Sequence, residues 1–445
     1  NSFMRTKPVF PLLVSMSVPM MLSMLIQSLY NIVDSIYVSR LGTDALTAVS
    51  LAYPLQNAIV SVGVGIGVGI SSAVSIYLGS GDQEKADRAA TLGVILTFFH
   101  CILFVLAGIF ITRPFLYLFT DDPDILKDAC DYTYIVLCLS FGALLQLAFE
   151  KIFQSIGKMK ITMYLLIVGC VINIILDPVL IFGLLGFPAL GVAGAAIATV
   201  IGQISAFLLY ILVYVRKSYA VRIRLKYVRP DWKIIRRIYS VGIPSSIMML
   251  LPSVLISLLN RILASFSDLY VAVLGVYFKL QTFIYMPANG IVQGMRPILG
   301  YNYGAGEHAR VRSTIRYSLG CAAAIMLIGT LLSLILPGQI FTLFDADAAL
   351  MGAGVTALRI ICLGFLISSI GVIYAGAFEA LGNGRDSLII SLLRQFVITI
   401  PLSYMLSHFF GPVGVWIAFP AGELCAAVVA FFLLKTYKKG AFSPF

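Results

Sequence analysis

Charge is sparse in this chain. Only 11% of its 445 residues are Asp, Glu, Lys or Arg, while 60% are hydrophobic. A soluble domain of this length needs a polar shell that such a composition does not supply. Histidine is scarcer still. His100, His308 and His408 are the only three and lie far apart, so zinc sites and Ser–His–Asp arrangements are not expected, which weighs against an enzyme. The seven cysteines stand singly, with no C-x-x-C. Only Cys130 is placed near the outer surface, so neither disulfides nor a metal site is expected from them. No ATP-binding motif is present, so any work must draw on a gradient. The first apolar run continues past 25 residues without an A-x-A-like site, and no cleaved leader is expected.

What the chain does have is apolar runs long enough to cross a bilayer core of about 30 Å. In lipid the backbone must satisfy its own hydrogen bonds, and runs this long and continuous are helices. Twelve are read, at 11–38, 47–78, 91–117, 131–156, 161–184, 191–214, 238–264, 269–299, 314–337, 350–381, 387–409 and 413–434. The net charge of +11 could suggest nucleic acid, but its placement argues otherwise. With the N-terminus inside, the inner connections hold Lys85, Arg88, Lys158, Lys160, nine basic residues from Arg216 to Arg237, Arg310, Arg312, Arg316 and Arg385. A tail with Lys435, Lys438 and Lys439 joins them, whereas the outer connections hold Arg40, Arg113, Lys127 and an acidic stretch at 120–131 read as solvated surface. The basic excess is therefore a topology signal with some anionic-lipid contact, and it puts both termini in the cytoplasm.

The chain repeats at an offset of 225 residues. Pro19 matches Pro244, Gln56 matches Gln281, "LGSGDQ" matches "YGAGEH", and Phe153 and Gly157 match Phe378 and Gly382. After a gap of five, "LGVAGAAIA" at 190–198 matches "FGPVGVWIA" at 410–418. Six helices are thus followed by six of the same pattern in the same orientation, an arrangement found in transporters and also in channels. The expected division is 1–214, a basic linker at 215–237 long enough to let two lobes rock, and 238–445. The run "SVGVGIGVGISS", with Gly at every second position, has no Lys/Ser ending and reads as close helix packing, not a phosphate loop.

Against this apolar background a few polar groups stand out. A centrally buried carboxylate costs about 2.5–3.5 kcal/mol on insertion scales. Asp34 is one such group. Asp177 is another, four residues after Asn173 on the same helix face and just before Pro178, whose ring frees a backbone carbonyl one turn earlier. Asp34 lies about six residues, roughly 9 Å, inside the outer end of its helix. Helix direction puts Asn173 and Asp177 at that level, with Thr199 slightly deeper. The four together form an oxygen cage suited to H⁺ or to Na⁺, and Na⁺ at Asp34 and Asp177 is the only metal the pattern admits. Met20, Met24, Gln27, Asn31 and Asp34 are spaced 4, 3, 4, 3 and form one face bordered by Tyr30, with Pro19 predicting a bend one turn before it. That face reads as the wall of a substrate cavity for bulky, flat cations.

The second half does not copy the acids. Asp34 falls on Leu259, and Asp177 on the stretch around Pro401–Leu402. Tyr277, Gln281 and Tyr285 are expected to line the cavity there, and Lys279, Arg261 and Arg296 are read as pairing or snorkelling residues. Glu379 replaces Gln154, and Glu423 stands opposite Gln203, with Arg394 within about a turn of its depth. An internal ion pair and a proton-coupling site are both open readings of Glu379, Arg394 and Glu423.

Taken together, "VPMMLSMLIQSLYNIVDSIYVSRLG", "GSGDQEKA", "FQSIGKMK", "NIILDPVLIFG" and "GVAGAAIATV" resemble the multidrug and toxic compound extrusion (MATE) transporters, most of all their DinF-like and Gram-positive multidrug branches. The resemblance covers essentially the whole chain. It implies an all-α protein of twelve transmembrane helices in two six-helix bundles facing each other in a V, with cation-coupled antiport by rocking. Asp34, Asn173, Asp177 and Thr199 match the first-lobe cation site, Met20, Met24, Gln27 and Tyr30 match the drug-cavity wall, and Pro19 matches a proline of proposed bending. An acid that another branch places in helix 7 would fall among Met249–Val254, where there is none. The expectation is a monomeric antiporter that exchanges H⁺ or Na⁺ for organic, cationic, amphipathic compounds. Its partners are small molecules and membrane lipids, it binds no nucleic acid, and it needs no cofactor beyond that Na⁺. A lipid-linked precursor flippase is the alternative.

Overall fold

A computed structural model describes residues 3–344 and 346–440, with the side chains of 437–440, and so Lys438 and Lys439 of the expected tail, outside the described set. Every element among the described residues is helical. The spans are α1 Val9–Ser39, α2 Thr43–Gly79, α3 Gln83–Phe110, α4a Pro123–Cys138 with α4b Phe141–Ser155, α5 Met159–Phe182 and α6 Val192–Arg216. The second series is α7 Trp232–Ala264, α8 Asp268–Gly304, α9 His308–Ile335, α10 Ala348–Ala380, α11 Gly384–Phe410 and α12 Pro412–Gly440. Among the described residues eleven helices are long and apolar enough to cross a membrane, or twelve if the bent pair α4a and α4b is one span.

That pair corrects the sequence reading, which began a straight span at 131. The helix starts at Pro123, where the Asp122 carboxylate accepts from the N–H groups of Asp124 (3.0 Å) and Ile125 (3.4 Å). Part of the acidic surface stretch is thus a helix start with its cap. Cys130, expected near the outer surface, is buried. The chain then turns by 45° between Cys138 and Phe141. Just beyond the break Gly142 lies so close to α6 that a Cβ there would meet the Ile204 backbone N at 3.0 Å.

The helices form two compact units, one of Leu22–Ser246, the other of the residues up to Met21 together with those from Ile247 onward. The boundaries fall inside α1 and α7, two residues after Pro19 and Pro244, where a proline removes a ladder hydrogen bond. They do not fall in the basic segment expected to link the lobes. The alternating glycines of α2 explain the boundary inside α7. Gly63 and Gly67 form one stripe, where a Cβ would meet Leu147 Cδ1 at 2.6 Å and Lys151 Cγ at 2.5 Å on α4b. Gly65 and Gly69 form a second stripe against the first half of α7, Gly65 on the Ser246 backbone N (2.5 Å) and Gly69 on that of Gly242 (3.0 Å). In the other unit Gly290 and Gly294 of α8 seat Met21 (3.1 Å to N) and Ser17 (2.8 Å to N) of α1 in the same way. Each of these four contacts is its counterpart shifted by 225. The second helix of each repeat therefore holds the first half of the other repeat's first helix, by backbone approach that only small residues permit.

The basic segment after α6 is not a free tether. Gln83 Nε2 donates to Ala220 O (2.6 Å), Arg222 N to Asp87 Oδ1 (2.9 Å), Ile223 N to Tyr214 Oη (2.7 Å) and Arg224 N to Thr91 Oγ1 (3.1 Å). Tyr219 packs edge-on to Phe153 at 5.0 Å between centroids, and Val221 is fully buried. Residues 219–224 are strapped onto α3 because buried backbone donors need partners, and Asp87 and Thr91 supply them.

Candidate cation site in the first unit

Two glycines bring α5 and α6 together. A Cβ on Gly202 would lie 2.9 Å from Gly169 O and 3.2 Å from Asn173 Cβ, and near the C-terminal end of α5 Gly194 lies against Leu180 and Ile181. At that spacing Asn173, one turn above Gly169, reaches Thr199 on α6. The Asn173 amide satisfies its neighbours when its nitrogen donates to Asp177 Oδ2 (3.1 Å) and its oxygen accepts from Thr199 N (3.2 Å) and the Tyr30 hydroxyl (2.9 Å). Thr199 Oγ1 donates to Ala195 O (3.0 Å) and lies 3.3 Å from the Tyr30 hydroxyl.

From α1, Tyr30 and Asp34 enter this cluster one turn apart. The Asp34 and Asp177 carboxyl groups stand within hydrogen-bonding reach of each other. Asp177, Asn173 and Thr199 are buried and Asp34 is half-buried, and Oδ1 of each carboxyl is enclosed without a hydrogen-bond partner. Neither acid has a basic partner within ion-pair distance among the described residues. The sequence reading had Tyr30 on the cavity wall, whereas its hydroxyl is part of the acid cluster. Two groups it did not include are Tyr132 of α4a, within electrostatic range of both acids, and Gln56 of α2, whose Oε1 accepts from the Tyr132 hydroxyl (3.2 Å). Gln56 carried a usable signal, being a polar residue repeated in both halves at Gln281. Tyr132 carried none, since it borders the stretch read as outer surface.

Charge balance defines what this arrangement can do. Two carboxylates about 4 Å apart repel by roughly 4 kcal/mol at an effective dielectric of about 20. A proton or a small hard cation between them removes that repulsion, and the amide, hydroxyl and carboxyl oxygens are the donor set such an ion takes. The arrangement can therefore accommodate one positive charge between the two acids. Tyr30→Phe tests the hydroxyl's place in it. The variant is expected to lose about 1 kcal/mol of unfolding free energy in detergent, because the Asn173 oxygen loses a donor. Unchanged stability would assign Tyr30 to an exposed wall alone.

The second unit holds a different solution. Arg394 grips Glu423 in a fork, Nε to Oε2 at 2.8 Å and NH2 to Oε1 at 3.1 Å, with both side chains largely buried. Arg394 sits in a single π-helical turn, Leu393–Val397, whose displaced carbonyl at Arg394 accepts from Thr399 Oγ1 (2.7 Å). Gly371 makes room for it, since a Cβ there would meet Arg394 Cδ at 2.7 Å. The tyrosines expected on the cavity wall are buried around this pair. Tyr285 donates to Ser368 Oγ (2.8 Å), and Tyr277 packs edge-on to Phe419 at 5.4 Å, while Gln281 is half-buried. Glu379 meets Arg296 at 3.4 Å. Arg394 and Glu423 thus make the internal ion pair that one of the two readings expected.

On α1, Gln27 and Asn31 are exposed, Met24 is half-buried, and Met20 and Pro19 are buried. A further polar group missed in the sequence lies on α4b, where Lys151 Nζ donates to Gln154 Oε1 and Gln154 Nε2 donates to Glu150 Oε1, both at 3.2 Å.

Comparison with known proteins fits the repeat. A protein described as multidrug export protein MepA from Staphylococcus saprophyticus is 28% identical over 431 residues, covering 96% of this chain and 94% of that protein. The crystal structure titled as MATE in complex with MaL6 superposes with a TM-score of 0.93 at 26% identity, covering 100% of this chain and 99% of that one. A structure titled as the outward-facing conformation of a multidrug resistance MATE family transporter of the MOP superfamily gives 0.92 at 26%, covering 99% and 98%. The MatE family pattern matches twice, at residues 19–179 and 244–405, once in each repeat. This multi-pass membrane chain, written twice around one acid-bearing half, belongs to the MATE family of transporters.

Proposed function

We propose that this protein is a secondary antiporter of the plasma membrane that exports organic, cationic and amphipathic compounds in exchange for H⁺. The observation that carries the reading is the contact between the Asp34 and Asp177 carboxyls, which becomes a hydrogen bond only when one proton lies between them. Export of multiple drugs is supported by this chain's similarity to a multidrug export protein and a multidrug resistance transporter. An acid cluster held in oil without a basic partner suits a gradient-driven carrier better than an enzyme.

Protonation would remove the repulsion between the acids and change which partners hold Asp34 on α1. That helix carries Asp34 in one unit and its residues through Met21 in the other, with Pro19 next to the crossing. A change at the acids thus has a covalent route to the second unit, and alternating access would follow from which arrangement each charge state favours. Substrate and ion would weaken each other's binding reciprocally. Na⁺ is the second reading, favoured by the Asn173 and Thr199 oxygens beside the carboxyls.

Dye export from proteoliposomes separates these readings. An imposed pH gradient is expected to drive export, and an imposed Na⁺ gradient at matched pH is not. Export driven by Na⁺ alone would replace the proton by sodium. Passive ion conduction without dye movement would overturn antiport. A lipid-linked precursor flippase would move labelled lipid and not dye.

A further inference from the structure

The segment strapped to α3 emerges with an unpartnered face. After Arg224 a 3₁₀ turn at Leu225–Tyr227 is followed by Pro230, which holds Arg229 extended, and α7 begins at Trp232. Within this stretch Leu225 is 91% exposed, Trp232 74% and Val228 44%. They are not needed for packing, because Val221, Ile234 and Ile238 already fill the protein-facing side. Lys226, Arg229 and Lys233 alternate with them and are exposed as well. The one acid between Arg216 and Arg237 is Asp231, and it is engaged, 3.7 Å from Arg88 and accepting from Lys233 N at 3.2 Å.

Position completes the case. The strap ties this stretch to the first turns of α3, close to where α2 and α6 end and α7 starts, so it lies where candidate spans leave the membrane. An apolar and aromatic face interleaved with uncompensated cations, fixed at that level, has the composition of an interfacial anchor. We propose that Leu225–Lys233 is a docking face for the anionic phospholipid headgroups of the surrounding bilayer. Leu225, Val228 and Trp232 dip into the acyl boundary while Lys226, Arg229 and Lys233 hold the phosphates. The opposite charges make the match, and it would pin the first unit to the cytoplasmic leaflet whatever the protein carries.

Tryptophan fluorescence reads this directly, because the chain has only two tryptophans and Trp416 is 1% exposed. The full-length protein is placed in phosphatidylcholine vesicles containing an equal fraction of brominated phosphatidylglycerol or brominated phosphatidylcholine, and Trp232→Phe supplies the Trp416 background. Trp232 is expected to be quenched about twofold more by the brominated anionic lipid, with the preference falling as salt rises. A surface variant with Lys226→Gln, Arg229→Gln and Lys233→Gln is expected to keep the Trp416 emission and lose the preference. Equal quenching by the two lipids, no quenching by either, or a preference that survives in the triple variant would each overturn the proposal.

Discussion

Asp34→Asn is expected to fold, insert and resist heating at least as well as the parent, and to lose gradient-driven export. The fold should persist because an amide at position 34 can still hydrogen-bond Asp177, and one of two facing acids is removed from an apolar interior. Transport should fail because a neutral amide neither takes up nor releases the exchanged charge. Coupling free energies of this kind are about 1–3 kcal/mol, or about 5–150-fold in affinity. Drug binding by the variant should therefore stop responding to the coupling ion while intrinsic binding persists. Dye export in proteoliposomes and drug affinity at two ion concentrations measure the two parts. A variant that exports as fast as the parent would refute the coupling role of Asp34.

Arg394→Met should do the opposite and cost stability. The substitution leaves Glu423 charged and largely buried with its fork empty, and breaking a buried ion pair from one side costs about 3–5 kcal/mol. The double variant Arg394→Met with Glu423→Leu should recover most of that loss, since replacing both partners of a buried pair by apolar groups is often neutral. Thermal unfolding of the purified variants in detergent reads both. The same series separates a structural pair from a coupling site. If Glu423 exchanged protons, Glu423→Gln would resemble Asp34→Asn, stable and unable to pump. If it anchors Arg394, Glu423→Gln leaves a buried guanidinium half-satisfied, and stability falls first. The two units thus handle buried charge differently. The first keeps two facing acids with no basic partner among the described residues, and the second pairs its acid with an arginine of its own chain.

Much of this was legible along the chain because membrane helices obey one-dimensional rules. Span length follows from bilayer thickness, and the repeat from matching residues at one offset. Counting 1.5 Å per residue from the helix ends was enough to bring Asp34, Asn173, Asp177 and Thr199 to one level. The alternating glycines announced close packing, though not against which helices.

Tertiary structure decided what depends on direction around each helix and on approach between helices distant in sequence. That is why Tyr30 joined the acids and not only a wall, and why Tyr132 arrived from a stretch that read as surface. It is also why Arg394 and Glu423 turned out to face each other. The exchange of first halves between α1 and α7 was invisible for the same reason. A glycine pair says that some backbone comes close, and only the packed structure says that the backbone belongs to the other repeat.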